Sequence, residues 1–202
     1  VALLAEQTDE QLLKMALDGD EEAFTALYRR RHGPIFRFAL HMSGSLQVAE
    51  EVTQDVFLFL LQRGGDFDPE RGALGAYLFG VARNYVRRAM EKSYTEATTT
   101  CTAEDDDSRL VTDFDPVRDI ANSQLSVAVW KAVLSLPEHY REVVVLCDLQ
   151  EQTYADAAQA LGCAIGTIRS RLHRAHDILM KKLKNTAPSL IGFTGDAARC
   201  LS

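Results

Sequence analysis

The sequence predicts an all-α protein: two small helical domains joined by a flexible acidic linker, with a helix-turn-helix in the C-terminal one. Three observations carry this. From Thr8 to Gln62, cap residues alternate with apolar residues spaced three and four apart, the period of helices with one buried face. From Thr95 to Asp115 the chain has few core-forming residues and an acidic run from Glu104 to Asp107, a composition that buries too little apolar surface to fold. From Gln152 to Lys184 it reads as a short helix, a glycine turn and a longer basic helix. The expected boundaries are residues 1–92 for the first domain, 93–119 for the linker and 120–184 for the second domain. Weak periodicity in the tail 185–202 assigns it no role.

In the first domain, Thr8 and Gln11 have the spacing of a capping box, opening a helix through Leu12, Leu13, Ala16 and Leu17 that breaks near Gly19. Asp20 caps a second helix through Phe24, Leu27, Tyr28 and Arg29 to Arg31, expected to end before Gly33-Pro34. Helix resumes over Ile35 to Met42, and Ser43-Gly44-Ser45 is a turn. Leu46 to Gln62 carries Val48, Ala49, Val52, Val56, Phe59 and Leu60 as a core stripe. Its far side presents Gln47, Glu51, Gln54, Asp55, Leu58 and Gln62, an acidic and amide face with a leucine at its centre. A partner-binding face and a solvated face both accommodate that pattern, since single exposed leucines are normal.

Gly64 to Gly72 is a loop around the turn pair Asp68-Pro69. Ala73 to Lys92 is then a helix with Leu74, Leu78, Val81 and Tyr85 expected in the core. Tyr77, Arg83, Asn84, Arg87 and Arg88 are its distinctive groups. Aromatic and cationic side chains on one element suit single-stranded nucleic acid, because bases stack on rings and phosphates pair with Arg. A core Tyr77 with solvated arginines is the competing reading.

In the second domain, Ile120 to Leu136 is a helix with Leu125, Val129, Trp130 and Val133, and Pro137 opens the next at its first position. Thr153 is an expected N-cap with Asp156 as reciprocal partner; that helix runs through Ala157, Ala158 and Leu161 and stops at Gly162. After Cys163-Ala164, a helix carries Ile168, Leu172, Ala175, Leu179 and Leu183 on one stripe. The opposite face holds Ser170, His173, Arg174, Asp177 and Lys181, with Arg169 and Arg171 on the flanks. A DNA-reading helix-turn-helix needs this arrangement; an ordinary αα-hairpin with a solvated basic face also satisfies it.

Charge distribution separates these readings better than net charge does. The 202 residues carry a net charge of -7, which argues against a generic nucleic-acid binder. Yet Ile165 to Lys184 carries +5 and Arg71 to Lys92 carries +4, while Thr95 to Asp119 carries -6. Two basic helices flanking an acidic tether point to two polyanion contacts. No run approaches the ~20 apolar residues of a membrane span, and no secretory signal pattern is read at the start, so a cytoplasmic location is expected. Cys101, Cys147, Cys163 and Cys200 are too scattered for a disulfide framework or zinc site. Cys147, inside the apolar run Val143 to Leu149, reads as packing filler. No metal-ligand spacing, nucleophile elbow or phosphate-cradling glycine loop is present, so neither an enzyme nor a cofactor is expected.

The string Leu-Pro-Glu-His-Tyr-Arg-Glu-Val-Val-Val-Leu (136–146), followed by Thr-Tyr-Ala-Asp-Ala-Ala and by Gly-Thr-Ile-Arg-Ser-Arg-Leu-His-Arg-Ala (166–175), resembles the fourth conserved region of extracytoplasmic-function sigma factors. Ala-Glu-Glu-Val-Thr-Gln-Asp-Val-Phe (49–57) is similar to their polymerase-binding helix, and Tyr-Leu-Phe-Gly-Val-Ala-Arg-Asn (77–84) to their promoter-melting segment. The resemblance spans about Asp9 to Lys184 without the linker, with three motifs in order. It implies a factor that binds core RNA polymerase and directs promoter-specific initiation, with no enzyme activity of its own. Glu51, Gln54, Asp55 and Leu58 are implied to dock on the coiled coil of the polymerase's largest subunit. Tyr77, Arg83, Asn84, Arg87 and Arg88 are implied to melt promoter DNA at the minus-ten element. Thr167, Arg169, Ser170, Arg171, His173 and Arg174 are implied to serve the minus-thirty-five element, with Arg171 gripping phosphate. The linker is implied to run toward the RNA exit path, and an anti-sigma factor is an implied partner.

The chain departs from the family pattern at four places. Tyr77 stands where Trp is frequent, Arg88 where an Asp is common, Ala157 where a larger aliphatic is usual, and Ala164 supplies no side-chain cap. A helix-turn-helix regulator acting without polymerase docking remains the alternative, although neither a ligand pocket nor a dimerising element is legible.

Overall fold

The computed structural model describes residues 6–99 and 124–186, and every regular element among these described residues is helical. The first half comprises α1 (Asp9–Leu17), α2 (Glu21–Ser43), α3 (Leu46–Arg63), two short 3₁₀ turns (Gly64–Asp66 and Pro69–Arg71) and α4 (Leu74–Thr99). The second comprises α5 (Gln124–Leu134), α6 (Glu138–Val144), a π-helical turn (Val145–Leu149), α7 (Tyr154–Leu161) and α8 (Ile165–Thr186). The acidic run Glu104 to Asp107, Cys101, Cys200 and nearly all of the tail lie outside the described residues. No described helix is long and apolar enough to cross a membrane.

Local chemistry sets the helix starts. Thr8 Oγ1 accepts from the Gln11 N–H at 3.3 Å while Gln11 Oε1 accepts from the Thr8 N–H at 2.9 Å, so both arms of the capping box form. Asp20 and Ser45 cap α2 and α3 through the N–H groups of Ala23 and Val48. Thr153 caps α7 through the Asp156 N–H at 3.1 Å, but the Asp156 carboxylate accepts from the Thr153 hydroxyl at 2.6 Å and not from its backbone. Gly162 ends α7 at φ 62°, ψ 39°, the left-handed region that a side chain disfavours.

Packing overrides several local expectations. Gly33-Pro34 does not break the chain: α2 runs through it to Ser43. A proline removes one helical N–H, but Leu27, Ile35 and Phe38 on either side are all buried in the same core, which holds the helix together. On α4 the buried stripe is Leu74, Leu78, Phe79, Ala82 and Val86. Val81 and Tyr85 are only half-buried, because Val81 turns toward a cleft shared with α7. α4 also runs past Lys92 to Thr99, into the stretch expected to begin the linker. Pro137 is the N-cap of α6 and not its first residue, and the π-helical turn after α6 carries no sequence signature.

The two halves meet. α4 packs on α2 and α3 in its own half and on α7 in the other, while α2 touches α5, α6 and the π-helical turn. Arg141 of α6 donates to the carbonyls of Met42 (2.6 Å), Leu134 and Leu136 (3.0 Å). One guanidinium thereby satisfies carbonyls at the C-terminal ends of both α2 and α5, which otherwise lack intrahelical donors. Burial holds its pKa below the usual arginine value, the expected result of removing a cation from water. The His41 and Trp130 rings, one from each half, lie 4.8 Å apart edge to face.

Asp9 ties α1 down: its side chain, 5% exposed, pairs with Arg30 at 2.7 Å and with Arg31, both on α2. Charge-assisted hydrogen bonds of this kind are worth about 1.5–3 kcal/mol each. Asp9→Ala is expected to lower unfolding stability by about 2 kcal/mol, read as a reduced urea midpoint with unchanged slope. A midpoint equal to the parent's would mean that α1 is held by its leucines alone.

Candidate polymerase and nucleic-acid interfaces

Three exposed or cleft-lining faces collect the residues singled out in the sequence. On α3 the core stripe enters the bundle through Ala49, Val52, Val56 and Leu60, with Val48 and Phe59 half-buried. Phe57 and Thr53 are also buried, the Thr53 hydroxyl donating to the Ala49 carbonyl at 2.6 Å. Gln47, Glu51, Gln54, Asp55, Leu58 and Gln62 all stand in solvent, and Leu58 is 54% exposed. Gln47 Nε2 donates to Glu51 Oε1 at 2.9 Å, fixing one edge of this face. Leu61, half-exposed, lies one turn from Leu58 and enlarges the apolar centre. The i,i+3 spacing of Leu58 and Leu61, which puts both on one side of the helix, could have revealed it.

On α4 the five candidate residues do not share one environment. Tyr77 is half-buried, its ring 5.3 Å from Phe67 and 6.4 Å from Phe59 between centroids. Burial raises the pKa of its phenol, with a smaller contribution from the Asp66 charge. Asn84 is exposed, and the Arg88 guanidinium lies 5.9 Å from the Tyr85 ring centroid, a cation–π distance. Arg83 and Arg87 point into the second half. Arg83 bonds to both carboxylate oxygens of Glu142, and Arg87 Nε lies 3.0 Å from Glu138 Oε1. A cleft of about 300 Å³ separates Tyr77, Gly80, Arg83 and Asn84 on α4 from Gln159 and Gly162 on and just after α7.

On α8 the sequence stripe is the buried one: Ile168, Leu172 and Ala175 are inaccessible, and Leu179 and Leu183 are half-buried. Arg169, Ser170, His173 and Arg174 are exposed, whereas Arg171 and Thr167 sit half-buried at the apolar edge. The Thr167 carbonyl accepts from the Ser170 hydroxyl at 3.1 Å. The Arg169 guanidinium lies 5.9 Å from the ring centroid of Tyr154, an exposed residue at the start of α7 that the sequence pattern did not single out. His176 bonds to Asp148 at 2.7 Å, anchoring α8 to the π-helical turn; two residues 28 apart leave no local signal of that contact. No group of His, Cys, Asp and Glu suited to a metal occurs among the described residues.

Cys147 is half-buried, and desolvation followed by the Asp148 charge pushes its thiol pKa up to about 11. The reactive species is the thiolate, so the shift protects this sulfur at neutral pH. Its alkylation by iodoacetamide should keep rising about tenfold per pH unit well past pH 9. Mass spectrometry of the Cys147 peptide checks this; a plateau near pH 8 would contradict the burial argument.

Comparison with known proteins gives these faces a family. The Sigma-70 region 2 family matches residues 27–94, which include α3 and the candidate residues of α4. The Sigma-70 region 4 family matches residues 126–176, which include α7 and the reading face of α8. The ECF RNA polymerase sigma factor SigM of Mycobacterium tuberculosis is 30% identical over 179 residues, covering 88% of this chain and 86% of SigM. SigW of Bacillus subtilis is 26% identical over 179 residues, covering 86% and 95%. The sigma factor RpoE of Bartonella quintana, solved in complex with the anti-sigma factor NepR, superposes with a TM-score of 0.66 at 27% identity, covering 81% of this chain and 98% of that one. The chain belongs to the ECF sigma factors of RNA polymerase, a family of promoter-specific initiation factors that bind the core enzyme.

Proposed function

We propose that the family's tasks are divided among three faces of this chain. The exposed face of α3, with Glu51, Gln54 and Asp55 around Leu58, docks on the coiled coil of the polymerase's largest subunit. α4 engages the non-template strand at the minus-ten element with Tyr77, Arg83, Asn84, Arg87 and Arg88. The face of α8 reads the minus-thirty-five element in the major groove through Arg169, Ser170, His173 and Arg174, while Thr167 and Arg171 serve its backbone. The observation that carries the docking assignment is the α3 face: a leucine 54% exposed, ringed by carboxylates and amides, on a helix whose core stripe none of them joins. Such a face has an apolar anchor with a polar rim, the anatomy of a protein interface.

A regulator that works without polymerase would have no use for this face, and the Sigma-70 region 2 match over residues 27–94 disfavours it. In the reading favoured here, the chain supplies positioning and no catalytic group of its own, and acts in the cytoplasm beside core polymerase and promoter DNA. RpoE of Bartonella quintana was solved with the anti-sigma factor NepR; a protein of that class is inferred as a further partner.

Asp55→Arg tests the docking face. Inverting a charge at an interface changes association and places like charges together, whereas on a free surface it alters stability by within about 0.5 kcal/mol. The variant should keep the parent's circular dichroism and lose both core-polymerase pull-down and run-off transcription. A folded variant that binds core normally would end the assignment.

Arg174→Ala tests the reading face. Loss of a base-contacting arginine costs about 1–3 kcal/mol and relaxes one position of the site. Competition binding over single-base variants of the minus-thirty-five element should show that relaxed position. Equal loss across all variants would move Arg174 to the phosphate backbone, and no loss would remove it from the interface.

A further inference from the structure

We propose that Tyr154, at the start of α7, is a positioning residue for base reading: its ring holds the Arg169 guanidinium of α8 in the orientation that recognises one guanine. The inference rests on the assignment of the α8 face to the minus-thirty-five element and adds a residue from outside that face. The Arg169 guanidinium carbon lies 5.9 Å from the Tyr154 ring centroid, within the ~6 Å reach of a cation–π contact. Tyr154 is 41% exposed and Arg169 is exposed too, so the pair stands at the surface and is not part of the core. The histidines of α8 lie against carboxylates, His173 near Asp177 and His176 near Asp148. Arg169 makes no ion pair among the described residues; the ring is what holds it.

Two other polar groups of the face are braced from within α8. The Ser170 hydroxyl donates to the Thr167 carbonyl at 3.1 Å, and His173 Nε2 lies 3.8 Å from Asp177 Oδ2. Arg169 is braced from a different helix, and that helix is fixed at both ends. Thr153 caps α7 through the Asp156 N–H, and Gly162 closes it at φ 62°. Ala157, Ala158 and Leu161 bury its inner side in the core that also takes Ile168 and Leu172 of α8. The ring therefore stands on a rigid support. A guanidinium stacked by its face on a ring keeps its edge N–H donors free, and that edge pairs with O6 and N7 of a guanine. Fixing the orientation before DNA arrives favours the base that uses it over the bases that do not. An exposed cation–π contact corresponds to about two- to fivefold in an equilibrium constant.

Holoenzyme assembled from core RNA polymerase and the full chain, selected on a promoter library randomised across the minus-thirty-five element, reads the base preference at each position. Arg169→Ala is expected to erase the guanine preference at one position. Tyr154→Ala should weaken that same preference about two- to fivefold and leave the other positions unchanged. Tyr154→Leu keeps apolar bulk without a π face and should behave like Tyr154→Ala. Tyr154→Phe keeps the ring without its hydroxyl and should match the parent. In the Arg169→Ala background, Tyr154→Ala should add nothing. Circular dichroism checks that each variant, changed at an exposed position, keeps its helices. Uniform weakening over all sequences, or a loss that persists without Arg169, would overturn the proposal and make the ring a DNA contact of its own. A Tyr154→Phe variant as weak as Tyr154→Ala would also overturn it, by assigning the effect to the hydroxyl. If Arg169→Ala leaves every preference intact, the fault lies in the assignment of the α8 face, and the proposal falls with it.

Discussion

Glu142 has to be paired, because an ionised carboxylate with 1% exposure costs several kcal/mol if left alone in the interior. Its partner, Arg83, lies in the other half of the chain and 59 residues away. This one requirement fixes α6 against α4 and carries α7 over the same helix. The neighbouring contacts follow the same line: Arg87 with Glu138 on the rim, Arg141 on the end of α2, and the glycine-to-backbone approach at Gly80. Buried ion pairs are weak sources of stability but strong sources of geometry, since few arrangements satisfy both partners.

That geometry explains why the three candidate faces differ in exposure. The α3 and α8 faces are built from residues opposite a core stripe, so folding of each half exposes them automatically. The α4 face is polar and aromatic on the side that meets α7, and its arginines match the acidic residues of α6. A basic helix attracts any well-placed carboxylate within a Debye length of about 8 Å. The chain supplies its own.

Much of the fold was legible because its signals are local. The Thr8–Gln11 capping box, the Asp20 and Thr153 caps, the Gly162 stop and the stripe from Ile168 to Leu183 each depend on residues within about one turn of helix. The exposure of the candidate docking and reading faces was legible for the same reason: a residue opposite a core stripe must face outward. The misses come from longer range. Gly33-Pro34 looked like a break because the burial of Leu27, Ile35 and Phe38 in one core is a tertiary fact. Val81 and Tyr85 pack against the core but are only half-buried, and Val81 lines the cleft toward α7, a neighbour that no spacing within α4 announces. The pairings of Arg83 with Glu142 and of His176 with Asp148 join distant segments, and no spacing rule announces them.

The relation between the halves is the claim on which the rest hangs, and a distance measurement addresses it directly. Spin labels on cysteines replacing Glu22 of α2 and Lys181 of α8, both exposed, can be followed by double electron–electron resonance in a background without other reactive cysteines. The account predicts one narrow distance distribution for the free chain, as a fixed packing of the two halves requires. A broad or multiple distribution in the free chain would contradict it.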